Sequence, residues 1–148
     1  MIPISDLIER IILSAVLGAI IGIERQIRNK HAGLRIMAML CMSSSCFSLF
    51  AISIYETYKI EQMGYIIIGT LLCLGFIGNG VIHKEKENGI LVVRGLTTAV
   101  LLIVISIIGI IIGAGFIREG LIVWCVTIII IFGGRIIEKK LGLKKGDK

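Results

Sequence analysis

The amino-acid sequence predicts an all-α integral membrane protein, a polytopic bundle of five transmembrane helices. Hydrophobic residues occupy 56% of the 148 positions, and the mean hydropathy is +0.98. A compact soluble chain of this length leaves about a third of its unfolded surface exposed, which is too much for so apolar a composition. The apolar runs are apolar at nearly every position rather than at alternate ones, which favours helices over β-barrel strands.

The first two spans flank the densest charged segment of the chain, residues 21–35. Because charged side chains are costly in hydrocarbon, this segment is predicted to lie outside the membrane. The first span is therefore predicted at residues 4–23 and the second at 34–54. Each comes near the roughly 20 residues that a helix needs to cross a bilayer. The second is interrupted only by a patch of three serines at 43–45.

Three further apolar segments predict the remaining spans, at residues 63–82, 95–113 and 121–137. The sequence GAGFIREG is predicted to form a turn between the last two. Residues 1–138 are thus expected to form one transmembrane domain. Residues 139–148 form a short basic tail that we expect to lie against the anionic inner leaflet.

Lysine and arginine are distributed unevenly between alternate loops, with thirteen on one side and three on the other. The larger set comprises Arg25, Arg28, Lys30, Arg35, Lys84, Lys86, Arg94, Arg135, Lys139, Lys140, Lys144, Lys145 and Lys148. Arg10, Lys59 and Arg118 form the smaller set. Cytoplasmic loops are enriched in these residues, so the N-terminus is predicted outside and the C-terminus in the cytoplasm.

Composition also argues against several functional classes. The net charge of +6 is divided among loops between apolar segments, which indicates anionic lipid headgroups rather than nucleic acid as the counter-charge. The four cysteines lie in apolar segments without the spacing of a metal site or a disulfide framework. His31 and His83 lie in loops, and no nucleophile with a base can be assembled around them. We therefore expect no enzymatic activity, no metal and no cofactor.

Small residues predict where helices approach closely. Ser14, Gly18 and Gly22 recur at four-residue intervals in the first span, and Gly109 and Gly113 do so in the fourth. These stripes fit packing within one protomer or the interface of a homodimer. Gly75, Gly78 and Gly80 surround Asn79, where they are expected to weaken the helix and admit a backbone or a small ligand. The full set predicted to serve packing is Ser14, Gly18, Gly22, Gly33, Gly75, Gly78, Gly80, Gly95, Gly109 and Gly113.

A polar rim is predicted at the cytoplasmic ends of the first four helices. Its members are Glu24, Arg25, Arg28, Arg35, Asn79, Arg94, Thr97 and Thr98. Glu24 is expected to pair with Arg35, Arg94 or Arg28, because ionised groups at this depth need partners. Two interpretations of the rim stay open. It either clamps the helices together, or it binds an anionic group such as a phosphate headgroup or an acidic loop of a partner.

Two motifs carry a family resemblance. The segments GAIIGIERQIRNKHAGLRIMAML, and GFIGNGVI followed by VRGLTTAV, resemble the signatures of the MgtC/SapB family of bacterial inner-membrane proteins. The resemblance covers about residues 7–115. It is a resemblance to the membrane module of the family alone, without the C-terminal ACT-like domain of virulence-associated members. It implies a multi-pass protein of the bacterial cytoplasmic membrane with a regulatory or adaptor role in adaptation to low magnesium. It also implies contacts with lipid or with another membrane protein, such as the ATP synthase.

A small transporter or channel for an ion or solute is the alternative function. The polar groups predicted at mid-membrane depth are limited to Ser43, Ser44, Ser45, Thr70 and Ser106. Serine can line a pore, but in a helix it more often bonds the carbonyl of the preceding turn. No predicted span carries an acidic residue at its centre, which argues against a transporter or channel.

Overall fold

Five helices and one short β-hairpin make up the part of the chain described by the computed structural model, which covers residues 3–30, 32–61, 63–87 and 90–140. In chain order the elements are α1 (Ile4–Ile27), α2 (Leu34–Tyr58), α3 (Met63–Val81), β1 (His83–Glu87), β2 (Ile90–Arg94), α4 (Leu96–Gly113) and α5 (Ile117–Lys140). The predicted helical membrane bundle is confirmed, since each predicted span overlaps one helix.

Four of these helices are long and apolar enough to cross a membrane, at Leu34–Tyr58, Met63–Val81, Leu96–Gly113 and Ile117–Gly134. The remaining helix, α1, has 24 residues and packs along α2, but it carries charged residues near both ends. Its central turns are apolar and bury Leu17 and Ile21 in the protein interior.

Helices α1, α2 and α5 extend beyond the predicted spans into segments that contain charged residues. Helix α1 continues through Glu24 and Arg25, and α5 begins at Ile117, inside the segment predicted to be a turn. Glutamate and arginine are good helix formers, so the helix persists as the chain leaves the hydrocarbon. Helix α5 runs on to residue 140. The remainder of the predicted tail, 141–148, lies outside the described residues.

The segment between α3 and α4, which was expected to be a loop, forms an antiparallel hairpin. Its register pairs His83 with Arg94 at the base and Glu87 with Ile90 at the far end. Isoleucine and valine in β2 favour extended backbone. The dipeptide Asn-Gly at positions 88 and 89, directly before this run, is a hairpin signal in the sequence. The run of charged residues in β1 led instead to the expectation of a loop.

Helix α4 lies at the centre of the bundle. In α4, 61% of the residues of the membrane-crossing window are buried, against 17% in α3 and 11% in α5. Helices α1, α2 and α4 together bury the core, which includes Met37, Cys41, Ile105, Ile108 and Ile112. The apolar side chains of α3 and α5 point largely away from the bundle, where lipid can solvate them.

Close contacts between backbones hold the central helices together. A side chain at Gly18 would come 2.5 Å from the carbonyl oxygen of Met37, and one at Gly22 would come 2.5 Å from Cα of Leu34. On α4, Gly109 lies against the carbonyl oxygen of Cys41, and Gly113 lies against that of Ser45. Because the contacts advance along both helices together, α2 and α4 run parallel.

The other residues of the predicted packing set behave differently from one another. Ser14 is fully buried, Gly78 faces Ala99, and Gly33 faces the side chain of Gln26. Gly75 and Gly80 depart from the expectation, since a side chain at either would meet no described atom within 4 Å. Both lie on the exposed surface of α3, a peripheral helix. Helix α3 also remains helical through Val81, so the glycines around position 79 do not open it.

Candidate functional site

A buried arginine joins the last turn of α1 to the first turn of α4. Arg25 is 6% exposed, and its Nη2 donates a hydrogen bond to Oγ1 of Thr98, which is 3% exposed. The carbonyl oxygen of Arg25 also accepts the N–H of Lys30, at 3.1 Å, where α1 ends. Asn29, in the left-handed conformation (φ 53°), redirects the chain there. A guanidinium removed so far from solvent is tolerated because it is hydrogen-bonded.

An ion pair lies next to this arginine, between Glu24 and Arg28 on consecutive turns of α1. Their side chains are 11% and 25% exposed, respectively. Oε2 of Glu24 and Nη2 of Arg28 are buried and make no hydrogen bond within the described part of the chain. Because buried polar atoms are nearly always paired, these two atoms mark the ion pair as incompletely hydrogen-bonded within the described part of the chain.

The junction between the hairpin and α4 places Thr98. Gly95 has a φ of +88°, which is the left-handed region that favours glycine, and a side chain there would collide with the carbonyl oxygen of Val81. Its carbonyl accepts the N–H of Ala99 at 3.0 Å and so begins α4. The end of α3 and the start of α4 are thereby held side by side, with half-buried Arg94 immediately before the junction.

We call the cluster of Glu24, Arg25, Arg28, Arg94 and Thr98 the polar end. Three of these residues of the predicted rim lie at the C-terminal end of α1, Thr98 lies in the first turn of α4, and Arg94 is the last residue of β2. All five are buried or half-buried. The other three, Arg35, Asn79 and Thr97, are exposed on α2, α3 and α4. Of the three partners considered for Glu24, the structure shows the pair with Arg28.

Two contacts between helices were not predicted from the sequence. Nη1 of Arg10 donates to the carbonyl oxygen of Gly113 at 3.2 Å, which links the start of α1 to the end of α4. Nε1 of Trp124 donates to the carbonyl oxygen of Leu17 at 3.0 Å and so attaches α5 to α1. The only advance signal for the second contact is that a partly buried indole N–H usually finds an acceptor.

The interior of the bundle contains hydroxyl groups as well as apolar side chains. Ser44, Ser45, Ser48 and Ser106 are each at most 1% exposed. The hydroxyls of Ser45 and Ser106 make no hydrogen bond within the described residues. The more peripheral Ser43 and Thr70 bond carbonyls of their own helices, at 3.1 and 2.8 Å, as isolated helical hydroxyls commonly do.

A largely apolar groove of about 450 Å³ separates α2 from α3. It is lined by Leu40, Ser43, Ser44, Phe47, Tyr65, Ile66, Gly69, Thr70, Cys73, Leu74 and Ile77. No group of three or more His, Cys, Asp or Glu side chains among the described residues could hold a metal ion.

Comparison with known proteins gives consistent matches. The sequence profile of the MgtC family matches residues 11–140. Protein SrpB of Synechococcus elongatus is 29% identical over 143 residues, which cover 92% of this chain and 79% of that protein. The putative magnesium transporter YhiD of Escherichia coli K12 is 31% identical over 132 residues, covering 86% of this chain and 60% of that protein.

Protein MgtC of Salmonella typhimurium is 34% identical over 127 residues, which cover 83% of this chain and 52% of that protein. The chain therefore spans between about half and four-fifths of the length of these three relatives. No solved structure matches it significantly.

Proposed function

This chain belongs to the MgtC family, and we propose that it serves as a regulatory or adaptor module of the bacterial cytoplasmic membrane when magnesium is scarce. Its relatives include the protein named MgtC in Salmonella and a putative magnesium transporter in E. coli, which supports a link to magnesium. In this proposal the protein acts by binding another membrane protein, of which the ATP synthase is one candidate, or lipid headgroups. It performs no catalysis.

The observation that carries the proposal is the incomplete hydrogen bonding of the polar end. Arg25 is committed to Thr98, whereas the Glu24–Arg28 pair retains a buried acceptor and a buried donor. In this proposal the side chains of Glu24 and Arg28, which are 11% and 25% exposed, turn toward a loop or a headgroup that offers both a donor and an acceptor. That group then completes the hydrogen bonding of the pair at the edge of the membrane. Such charge-assisted hydrogen bonds are stronger than neutral ones, so they can stabilise an encounter between membrane proteins.

The geometry of the core is less favourable to a pore. Gly109 and Gly113 let α4 lie directly against the backbone of α2, and Ile105, Ile108 and Ile112 fill the space around them. Transport nevertheless stays the second candidate for a specific reason. The hydroxyls of Ser45 and Ser106 lie deep in the bundle without a hydrogen bond among the described residues, and such groups could line a path that opens in another conformation.

Growth at low magnesium tests the regulatory proposal. A strain lacking the gene is complemented with the wild type, with Glu24→Gln, with Arg28→Gln, or with Arg118→Gln as the control, since Arg118 is exposed at the other end of the bundle. At equal amounts of protein in the membrane, the first two variants should lose complementation and the control should keep it. Full complementation by both rim variants would contradict the proposal.

Flux into liposomes distinguishes the two candidates. Purified protein is reconstituted, and the entry of Mg²⁺ and of monovalent cations is followed with indicator dyes against protein-free liposomes. An adaptor adds no flux. Cation entry that is abolished by Ser106→Val, in protein that keeps its thermal transition, would favour the transporter.

A further inference from the structure

One face of the β-hairpin combines exposed apolar side chains with a basic one. Leu91 and Val93 are 63% and 52% exposed, whereas Val92 and Arg94 between and beside them are half-buried. This alternation follows the two-residue period of a strand. Val93 pairs with Lys84, which is also exposed. Residues directly opposite each other in an antiparallel pair lie on the same face, so Lys84 shares the face of Leu91 and Val93.

The hairpin connects the ends of two helices that can each cross a membrane. Strand β1 begins two residues after α3 ends, and β2 is separated from α4 by Gly95 alone. Both of these helices are long and apolar enough to cross a membrane. Gly95 lies close to the carbonyl of Val81, so the end of α3 and the start of α4 are adjacent, and the base of the hairpin lies next to both.

A hairpin of two strands is only marginally stable in water by itself. Exposure of leucine and valine to water makes a fully solvated hairpin less favourable still. The membrane interface offers what this face lacks. Apolar side chains can be buried between the headgroups and the acyl chains, and lysine can contact anionic phosphates.

We propose that the hairpin lies on the membrane, with Leu91 and Val93 inserted to the level of the headgroup–acyl boundary and Lys84 bound to anionic headgroups. The hairpin is then a lipid-binding surface in its own right. It is independent of the proposed role in magnesium limitation, because the depth of a side chain in the bilayer and the growth of a strain are measured separately.

Depth-dependent fluorescence quenching tests this surface. The sequence has a single tryptophan, Trp124, so Leu91→Trp combined with Trp124→Phe gives a protein with one reporter in the hairpin. The protein is placed in nanodiscs of phosphatidylcholine with phosphatidylglycerol, with or without phosphatidylcholine brominated near the headgroup end of the acyl chain. We expect emission at shorter wavelength than that of tryptophan in water, and marked loss of emission in the brominated nanodiscs.

Two matched variants show whether the proposed face is responsible. Val92→Trp in the same background places the reporter on the opposite face and should be quenched less by brominated lipid. Adding Lys84→Glu to the Leu91→Trp protein should weaken quenching in nanodiscs that contain phosphatidylglycerol. Each variant is taken as folded when it keeps the thermal transition of the protein that carries Trp124→Phe alone.

Two results would overturn the proposal. Emission from the Leu91→Trp protein at the wavelength of tryptophan in water, quenched by acrylamide and not by brominated lipid, would place this face in solvent. Emission at short wavelength that brominated lipid leaves unchanged would show that protein, such as a second copy of the chain, covers it.

Discussion

Arg25 and Thr98 are 73 positions apart in the sequence, yet the guanidinium of the first donates to the hydroxyl of the second in a buried contact. The contact fixes the C-terminal end of α1 against the N-terminal end of α4, the central helix. The ion pair between Glu24 and Arg28 lies at the same end of α1, next to this contact. This hydrogen bond therefore contributes both to the stability of the bundle and to the geometry of the polar end.

Replacement of Thr98 by valine should destabilise the protein, because the buried guanidinium loses an acceptor while the size of the side chain is kept. Hydrogen bonds to charged groups contribute about 1.5–3 kcal/mol, and we expect a loss of that order in the free energy of unfolding. Thermal unfolding in mild detergent measures the effect. Thr98→Ser should recover most of the stability, and Thr97→Val, at an exposed position, should change little. Equal stability of Thr98→Val and Thr97→Val would contradict the role of the contact.

Replacement of Gly113 by alanine should separate α2 from α4. The added methyl group would collide with the carbonyl oxygen of Ser45 and approach its Cα to 2.8 Å, and neither backbone atom can move aside cheaply. Overpacking of this kind costs about 1–3 kcal/mol. Gly75→Ala is the matched control, since no described atom lies within 4 Å of the added carbon. It should be neutral or slightly stabilising, because alanine has the higher helix propensity.

Replacement of Arg10 by glutamine should loosen the opposite end of the bundle. Arg10 donates to the carbonyl of Gly113, which belongs to the last turn of α4, where carbonyls lack partners within the helix. Because the positive charge also complements the helix dipole, we expect a loss of about 1 kcal/mol. Thermal unfolding at low and high salt checks this. Arg118→Gln, which removes an exposed cation at the same end, is the control. If Arg10→Gln lowers the free energy of unfolding no more than Arg118→Gln does, the hydrogen bond of Arg10 to Gly113 does not stabilise the bundle.

The distribution of lysine and arginine predicts a cytoplasmic C-terminus. A fluorescent protein fused there should therefore fluoresce in cells, and alkaline phosphatase fused at the same point should be inactive. The reverse pair of results would place the polar end on the outer surface. The loop-charge rule would then fail for this chain, although its helices would be unaffected.

Composition was enough to predict the helices, because runs of about 20 apolar residues have few other stable arrangements. The boundaries at Leu34 and Gly113 agree with the structure, and the ends of α1 and α5 differ, since charged residues at the membrane edge continue a helix. The hairpin was not predicted, for a different reason. Residues 83–87 are almost all charged, and such a run is more typical of a loop than of a strand, although the Asn-Gly dipeptide that follows signals a hairpin.

Only part of the polar end could be predicted. Glu24, Arg25 and Arg28 attract attention because charges next to hydrocarbon require partners. The choice of partner depends on the rotation of each helix about its axis, which the sequence of one helix does not specify. Thr97 and Thr98 illustrate this, since one step of about 100° around α4 makes the first exposed and the second buried.

The parallel contact of α2 with α4 bears on how the chain assembles in the membrane. The surface of α2 around Cys41 and Ser45 packs against α4, which is synthesised two helices later. It does not pack against α3, which follows α2 directly in the sequence. Until the ribosome has delivered Gly109 and Gly113, the initial pair of helices has no neighbour with which to complete its interior. The close packing of α2 can therefore be completed only after α4 has entered the membrane, so a chain that ended before α4 would leave this surface open to lipid.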